Sequence, residues 1–353
     1  MTAARRIDFA LFGSTIMTRL LAGLLASVHG KSVLMVGESQ ARFRLSRGLD
    51  LSLAPLTRPQ SWDLLGVLVP ETTRLVTRIG GRAAVMRLDP IFCAESAPAR
   101  EALAHFRHMA GAFGHAAERI SPKILGGNRD SVVFRDAVLL QAGVLEPLLD
   151  RWLEQKAVLK TDRLESLTME ADGAGLARWE DQTISFCRRI LCDDAAIIEH
   201  LADAPVPPSL HVSRGNTALF EPVTSLAAPV LHQLDGGLTL FQPQRGGLLA
   251  LSEGRMNDGS AAVANLLGPG RAPRQIGQAE YLRATGADGA PVLGTLPTGA
   301  TILAGLGSTG AFLAPALARW LCGLSAGAEA DWLAAHSIHR NPLASTTAEW
   351  SAA

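Results

Sequence analysis

Residues 7–36 limit what this chain can fold into more than any other stretch. An apolar run from Ile7 through Phe12 ends at Gly13, as a buried parallel strand does. Ile16, Leu20, Leu21, Leu24 and Val28 then recur at helical spacing, and His29 with Gly30 stops the helix. Residues 32–36 form a second apolar run. Strand, helix and strand within about thirty residues is the size of a parallel crossover unit. Both faces of a parallel sheet must be covered. A 353-residue chain that is 48% hydrophobic has the apolar material to do so, as one large domain or two interleaved ones.

The rest of the chain divides unevenly. Residues 41–60, rich in Arg, Ser and Pro, read as loop; 61–79 and 97–119 read as helices with charged outer faces, and 143–158 as a clear amphipathic helix. Segments 158–170 and 176–192 alternate as strands of a meander. Beyond Pro205, Pro207 and Pro208, short strands separated by Gly236-Gly237 and Gly246-Gly247 suggest an antiparallel sheet up to residue 285. A buried strand at 301–304, a glycine turn and a helix at 311–325 follow. The expected class is therefore α/β. A Rossmann-like domain with a parallel sheet begins at the N-terminus and resumes near the C-terminus, interleaved with a second α+β domain on a mostly antiparallel sheet. The expected boundaries are 1–60, 140–205 and 286–335 for the first domain, 61–139 and 206–285 for the second, and a tail at 336–353.

Charge and cysteine usage exclude several classes. Lys+Arg and Asp+Glu balance at 33 each, which argues against a nucleic-acid partner. The four cysteines, Cys93, Cys187, Cys192 and Cys322, lack metal-like spacing and read as reduced thiols. No metal site is expected. Arg5 and Arg6 before an apolar run imitate a secretory signal, but Arg19 interrupts that run, and no apolar stretch reaches the ~18 residues of a membrane span. A soluble cytoplasmic protein is expected. The nine histidines are dispersed; His29, His105, His108 and His115 read as helix or surface residues, with His211 and His232 in the second domain.

The turn after the first strand carries the candidate nucleotide chemistry. In a dinucleotide turn the first glycine permits the bend, the second admits the pyrophosphate, and the third lets helix pack on strand. Gly13 takes the first place, while Thr15 and Thr18 take the others. The ribose-binding acid falls on Gly37, with Glu38 one place late and Arg42 beyond it. A helix N-terminus still offers N–H groups and partial positive charge to a phosphate, so Gly13, Ser14, Thr15 and Ile16 are the candidate cradle. A crossover unit that binds no nucleotide accounts for this turn equally well.

A longer signature lies near the other end. Arg283, then Asp288-Gly289 with Pro291 and Gly294, then Gly305, Gly307 and Gly310, then Leu313 and Pro315 form an ordered run. It resembles the C-terminal signature of the FAD-dependent D-amino-acid oxidase/glycine oxidase-like family, which includes sarcosine oxidase. Weaker likeness at residues 143–149 with Leu153, and at Arg214-Gly215, extends the resemblance over about residues 7–330. It implies non-covalently bound FAD and hydride transfer from a C–N bond. Gly305, Gly307, Ser308, Thr309, Gly310 and Ala311 would then support the flavin's pyrimidine edge. It further implies that Arg283 meets a substrate carboxylate, with Tyr281 facing the same side of its strand; a purely structural arginine and a core tyrosine are the alternatives. The irregular turn and the segment HGKSVLMVGE also look similar to flavoproteins that mature cysteine tryptophylquinone in partner oxidases. Three readings result: an amine or amino-acid oxidoreductase, a flavoprotein modifying a partner protein in quinone-cofactor biogenesis, and a non-catalytic subunit that retains the fold.

Overall fold

The computed structural model describes residues 5–37, 45–126, 128–170, 172–202, 205–222, 224–243, 246–254, 256–268 and 273–341. The chain begins β1 (Arg5–Phe12), α1 (Ile16–Ser27), β2 (Val33–Val36), β3 (Asp50–Leu51), α2 (Pro59–Gly80), β4 (Val85–Leu88) and β5 (Ile91–Ala94). It continues through α3 (Ala97–Ala112), β6 (Ala117–Arg119), β7 (Asp130–Phe134), β8 (Ala137–Leu140), α4 (Ala142–Gln155), β9 (Leu159–Thr161) and β10 (Ser166–Met169). Next come β11 (Gly175–Trp179), β12 (Gln182–Leu191), α5 (Asp194–Leu201), β13 (Leu210–Phe220), β14 (Val230–Gln233), β15 (Leu238–Phe241) and β16 (Leu248–Glu253). The last elements are α6 (Met256–Leu267), β17 (Gln275–Gly286), β18 (Val292–Thr295), β19 (Thr301–Ala304), α7 (Gly310–Leu321) and α8 (Ala328–Ala335).

Two large sheets organise these elements. In the first, β1 lies between β2 and β12, parallel to both; β9 runs parallel beyond β2, and β19 parallel to the end of β12. Antiparallel strands β11, β10 and β18 complete it. The apolar runs seen in the sequence are the strands buried on both faces. Helices α1, α2, α4 and α7 share one hydrophobic core on this sheet. Leu20, Leu21 and Leu25 of α1 are fully buried there, each contributing roughly 1.5–3 kcal/mol relative to an exposed position. Gly23 sets the approach of α4, since a Cβ there would come within 2.0 Å of the Trp152 ring.

The second sheet has the order β17-β13-β16-β15-β14-β5-β7-β6, antiparallel except where β14 meets β5. Helix α6 covers part of it, and α3 packs on β5 and β7, with Phe106 stacked on Phe134 at 4.3 Å. A small antiparallel sheet, β3-β8-β4, completes the fold. The architecture is α/β, with a parallel sheet interleaved with a mostly antiparallel one. Helix α2 belongs to the core of the first sheet, and residues 336–338 hydrogen-bond to Leu293 of β18.

Two local expectations differ from what is observed. The helix expected over 97–119 ends at Ala112; Gly114, at φ +80°, turns the chain into β6. The strands expected to be short past residue 205 include β13 of 11 residues and β17 of 12. Most of β17 is only half-buried on one face and exposed on the other, so apolar alternation is too weak to mark its length.

Candidate functional site at the carboxyl ends of the parallel strands

In open parallel sheets, ligands bind outside the carboxyl ends of the strands. Here β1, β2, β12 and β19 end there in Gly13, Gly37, Cys192 and Gly305. Gly13 has φ +142°, a conformation suited only to glycine. Thr15 is the N-cap of α1: its hydroxyl accepts the Thr18 N–H at 3.2 Å and pairs with the Thr18 hydroxyl at 2.9 Å. The two threonines in the glycine places therefore brace the helix start. Gly37 sits so close that a Cβ would lie 2.6 Å from the Gly13 carbonyl oxygen. No side chain fits at the position where the ribose acid was expected. Glu38 and Arg42 lie outside the described residues.

Asp193, which begins α5, reaches across to this turn. Its Oδ2 accepts the Ser14 N–H at 3.0 Å, and its Oδ1 accepts the Ala196 N–H, also at 3.0 Å, capping α5. A carboxylate thus takes a donor that a phosphate would use. On the opposite side, Arg19 is fully buried, donating through Nη1 to the Ser14 carbonyl and through Nε to Asp150 at 2.9 Å. Its Nη2 is buried without a hydrogen-bond partner among the described residues. Burial works to raise the Asp150 carboxyl, but hydrogen bonds and charge from Lys160 and Arg19 outweigh it and hold it low. Neither Asp193 nor Arg19 was singled out as a site residue. The adjacent acids Asp193 and Asp194, directly after an apolar strand, were the available signal.

The turn after β19 is built differently. Gly305 (φ +66°) and Gly307 (φ +54°) shape it, and a Cβ on Gly307 would meet nothing within 4 Å. Ser308 donates to the Leu53 carbonyl at 3.2 Å, and Thr309 to the Leu306 carbonyl at 3.2 Å. Those two hydroxyls hold the turn through backbone carbonyls. Gly310 and Ala311 begin α7 and are buried.

Strand β17 connects this turn with the second sheet. Tyr281 and Arg283 lie side by side over Gly215, where a Cβ would come within 2.8 Å of both side chains. Arg283 donates from Nη1 to Glu253, and the Tyr281 hydroxyl donates to the Arg47 carbonyl at 3.0 Å. The Arg47 guanidinium sits 5.4 Å from the Tyr281 ring centroid. Beyond them, Ala284 donates its N–H to Asp194 at 3.2 Å, and a Cβ on Gly305 would lie 3.2 Å from the Gly286 nitrogen. The two sequence-predicted groups are therefore tied to one strand end. Burial pushes the Asp194 carboxyl up to about 6, against the Ala284 hydrogen bond and the Arg283 charge. The turn after β17 returns the chain to β18, held by Asp288 between Arg340 at 2.6 Å and Arg58 at 2.9 Å. His232 is half-buried against Thr239, with its pKa lowered to about 4 by loss of hydration, as for a structural neutral imidazole. Among the described residues no cluster is suited to a metal ion, and no helix is long and apolar enough to cross a membrane.

No protein-family model and no curated protein sequence matches the chain. Solved structures do. NikD, an unusual amino acid oxidase essential for nikkomycin biosynthesis, is similar with a TM-score of 0.73 at 12% identity, over 93% of this chain and 97% of that one. L-proline dehydrogenase from P. horikoshii gives 0.71 at 12%, over 94% and 97%. Glycine oxidase from Geobacillus kaustophilus gives 0.68 at 15%, over 90% and 94%. The chain has the amino acid oxidase fold. At these identities the likeness is one of architecture, and it spans both sheets. No observation bears on the expectation of quinone-cofactor maturation.

Proposed function

We propose that the chain is an FAD-dependent oxidoreductase acting on the C–N bond of an amine or amino acid. The observation that carries this reading is the meeting, at the carboxyl ends of β1, β12 and β19, of two glycine turns with the Tyr281–Arg283 edge of β17. Two features fit the cofactor. Gly13, at φ +142°, bends the chain sharply into the N-terminus of α1, and Gly307 opens onto free space. One feature conflicts: the Asp193 carboxylate on the Ser14 N–H must give way to a pyrophosphate. The residues otherwise suit the group.

FAD, when bound, supplies the hydride acceptor for converting an amine to an imine. Residues 13–16 would hold its pyrophosphate by backbone N–H groups and the dipole of α1. Gly305, Gly307 and Gly310 would present backbone at the entry to α7, whose positive end favours negative charge developing on a ring nearby. Arg283 keeps donors beyond the one engaged by Glu253, and its planar fork suits a carboxylate. Tyr281, fixed by Arg47, would form the wall that orients the substrate. Asp194, with its carboxyl raised to about 6, is mostly ionised at neutral pH and can take a proton from an arriving ammonium.

The test is turnover. Purified protein, loaded with FAD, is offered a panel of primary and secondary amines and amino acids with a dye acceptor. Imine-derived carbonyl product from at least one member is expected. Firm flavin binding with no turnover across the panel would contradict the substrate class, and colourless protein that takes up no flavin would contradict the cofactor.

A further inference from the structure

At the opposite edge of the second sheet from Tyr281 and Arg283, a cavity of about 230 Å³ lies between α3, β6 and β7. We propose that it is a second ligand site, for a small phosphate-type oxyanion. Three arginines line it: Arg100 and Arg107, two turns apart on one face of α3, and Arg119 on β6. Seven buried side-chain atoms lack a hydrogen-bond partner among the described residues, and two of them belong to arginines of this lining: Arg100 Nε and Arg107 Nε. Buried polar groups are ordinarily satisfied, and a local concentration of orphans marks a missing water or ion.

Charge points to the ion. Arg107 and Arg119 make no ion pair or side-chain hydrogen bond among the described residues, and Arg100 is held only by the Asn128 carbonyl. Asp130 is the single acid in the lining, against three guanidinium groups. Elsewhere on the same sheet, arginines are paired: Arg135 with Asp89 and Glu118, and Arg129 with Glu95. The cavity is smaller than the ~300–1,000 Å³ of drug-sized sites, which suits phosphate or the phosphoryl end of a small ester. Guanidinium forks match such oxygens in pairs. Leu103 and Val132 form the apolar wall.

This site is carried independently of the flavin reading. The experiment is isothermal titration of the full chain with inorganic phosphate, using chloride at matched ionic strength as control. Saturable binding is expected in wild type and in Thr15→Trp, which blocks the nucleotide turn. Arg107→Gln and, separately, the exposed Arg119→Gln should each weaken it about tenfold, the scale of one lost charged hydrogen-bonded partner. Absence of saturable binding, or binding that Thr15→Trp abolishes while both arginine variants retain it, overturns the proposal.

Discussion

At the residue scale the decisive group is Asp193. Its carboxylate bridges the Ser14 and Ala196 N–H groups, so it occupies the helix-terminal anion position with a charge of the same sign as a pyrophosphate. Two like charges ~4 Å apart repel by about 1 kcal/mol in water and about 4 kcal/mol at an effective dielectric of ~20. Asp193→Asn keeps a good cap for α5 but removes the charge. We expect it to tighten FAD binding to the apoprotein by tenfold or more, measured by quenching of flavin fluorescence; an unchanged or weaker affinity would show that Asp193 does not compete with the cofactor. Arg283 presents the complementary case. Glu253 already holds one of its nitrogens, so a substrate carboxylate must share the guanidinium. Glu253→Gln should strengthen perturbation of the flavin spectrum by small carboxylates, and Arg283→Ala should abolish most of it, at the low end of ~2–5 kcal/mol because the site is partly open. Equal titrations in wild type and Arg283→Ala would remove this residue from the substrate site.

At the scale of elements, the start of α1 carries the test of where the nucleotide sits. Thr15→Gly loses the capping hydroxyl at a cost of only a few tenths of a kcal/mol and clears the turn, so flavin content should hold or rise. Helix α4 and strand β3 supply a different prediction. Burial, with the like charge of Glu146, pushes the Asp50 carboxyl up to about 7 from 3.8. A carboxyl raised on folding stabilises the protein at low pH, and that contribution is lost as pH rises from about 4 through about 7, by roughly 4 kcal/mol. Asp50→Asn should therefore lower the melting temperature less between pH 5 and pH 8 than wild type does. A parallel pH dependence in both would assign the effect to other groups. These elements also show what the sequence could reveal. β1, α1 and β2 were readable because residues 7–36 carry two apolar runs flanking a 3.6-residue period. The short strands β4, β5 and β8, unlike β2, have no adjoining helical period to mark them, and four positions are too few for a period of their own to emerge. Asp193 stands 179 residues from Ser14, and no local pattern announces a hydrogen bond of that span. Tyr281 and Arg283 were placed on one face by strand alternation alone, but their partners Arg47 and Glu253 come from elsewhere in the chain.

At the scale of the whole molecule, the interleaved chain path is what makes a site possible. The parallel sheet draws its strands from residues 5–36, 159–191 and 292–304, so both glycine turns come to one edge, and β17 spans from the antiparallel sheet to that edge. Our proposal puts the cofactor between these turns. The most direct measurement is a spectrophotometric titration of the apoprotein with FAD, run alongside Thr15→Trp. The account predicts a saturable, resolved flavin spectrum in wild type, released on denaturation, and no such spectrum when tryptophan fills the α1 turn. Wild-type protein that leaves the FAD spectrum unchanged, or a Thr15→Trp variant that binds as well as wild type, would contradict it.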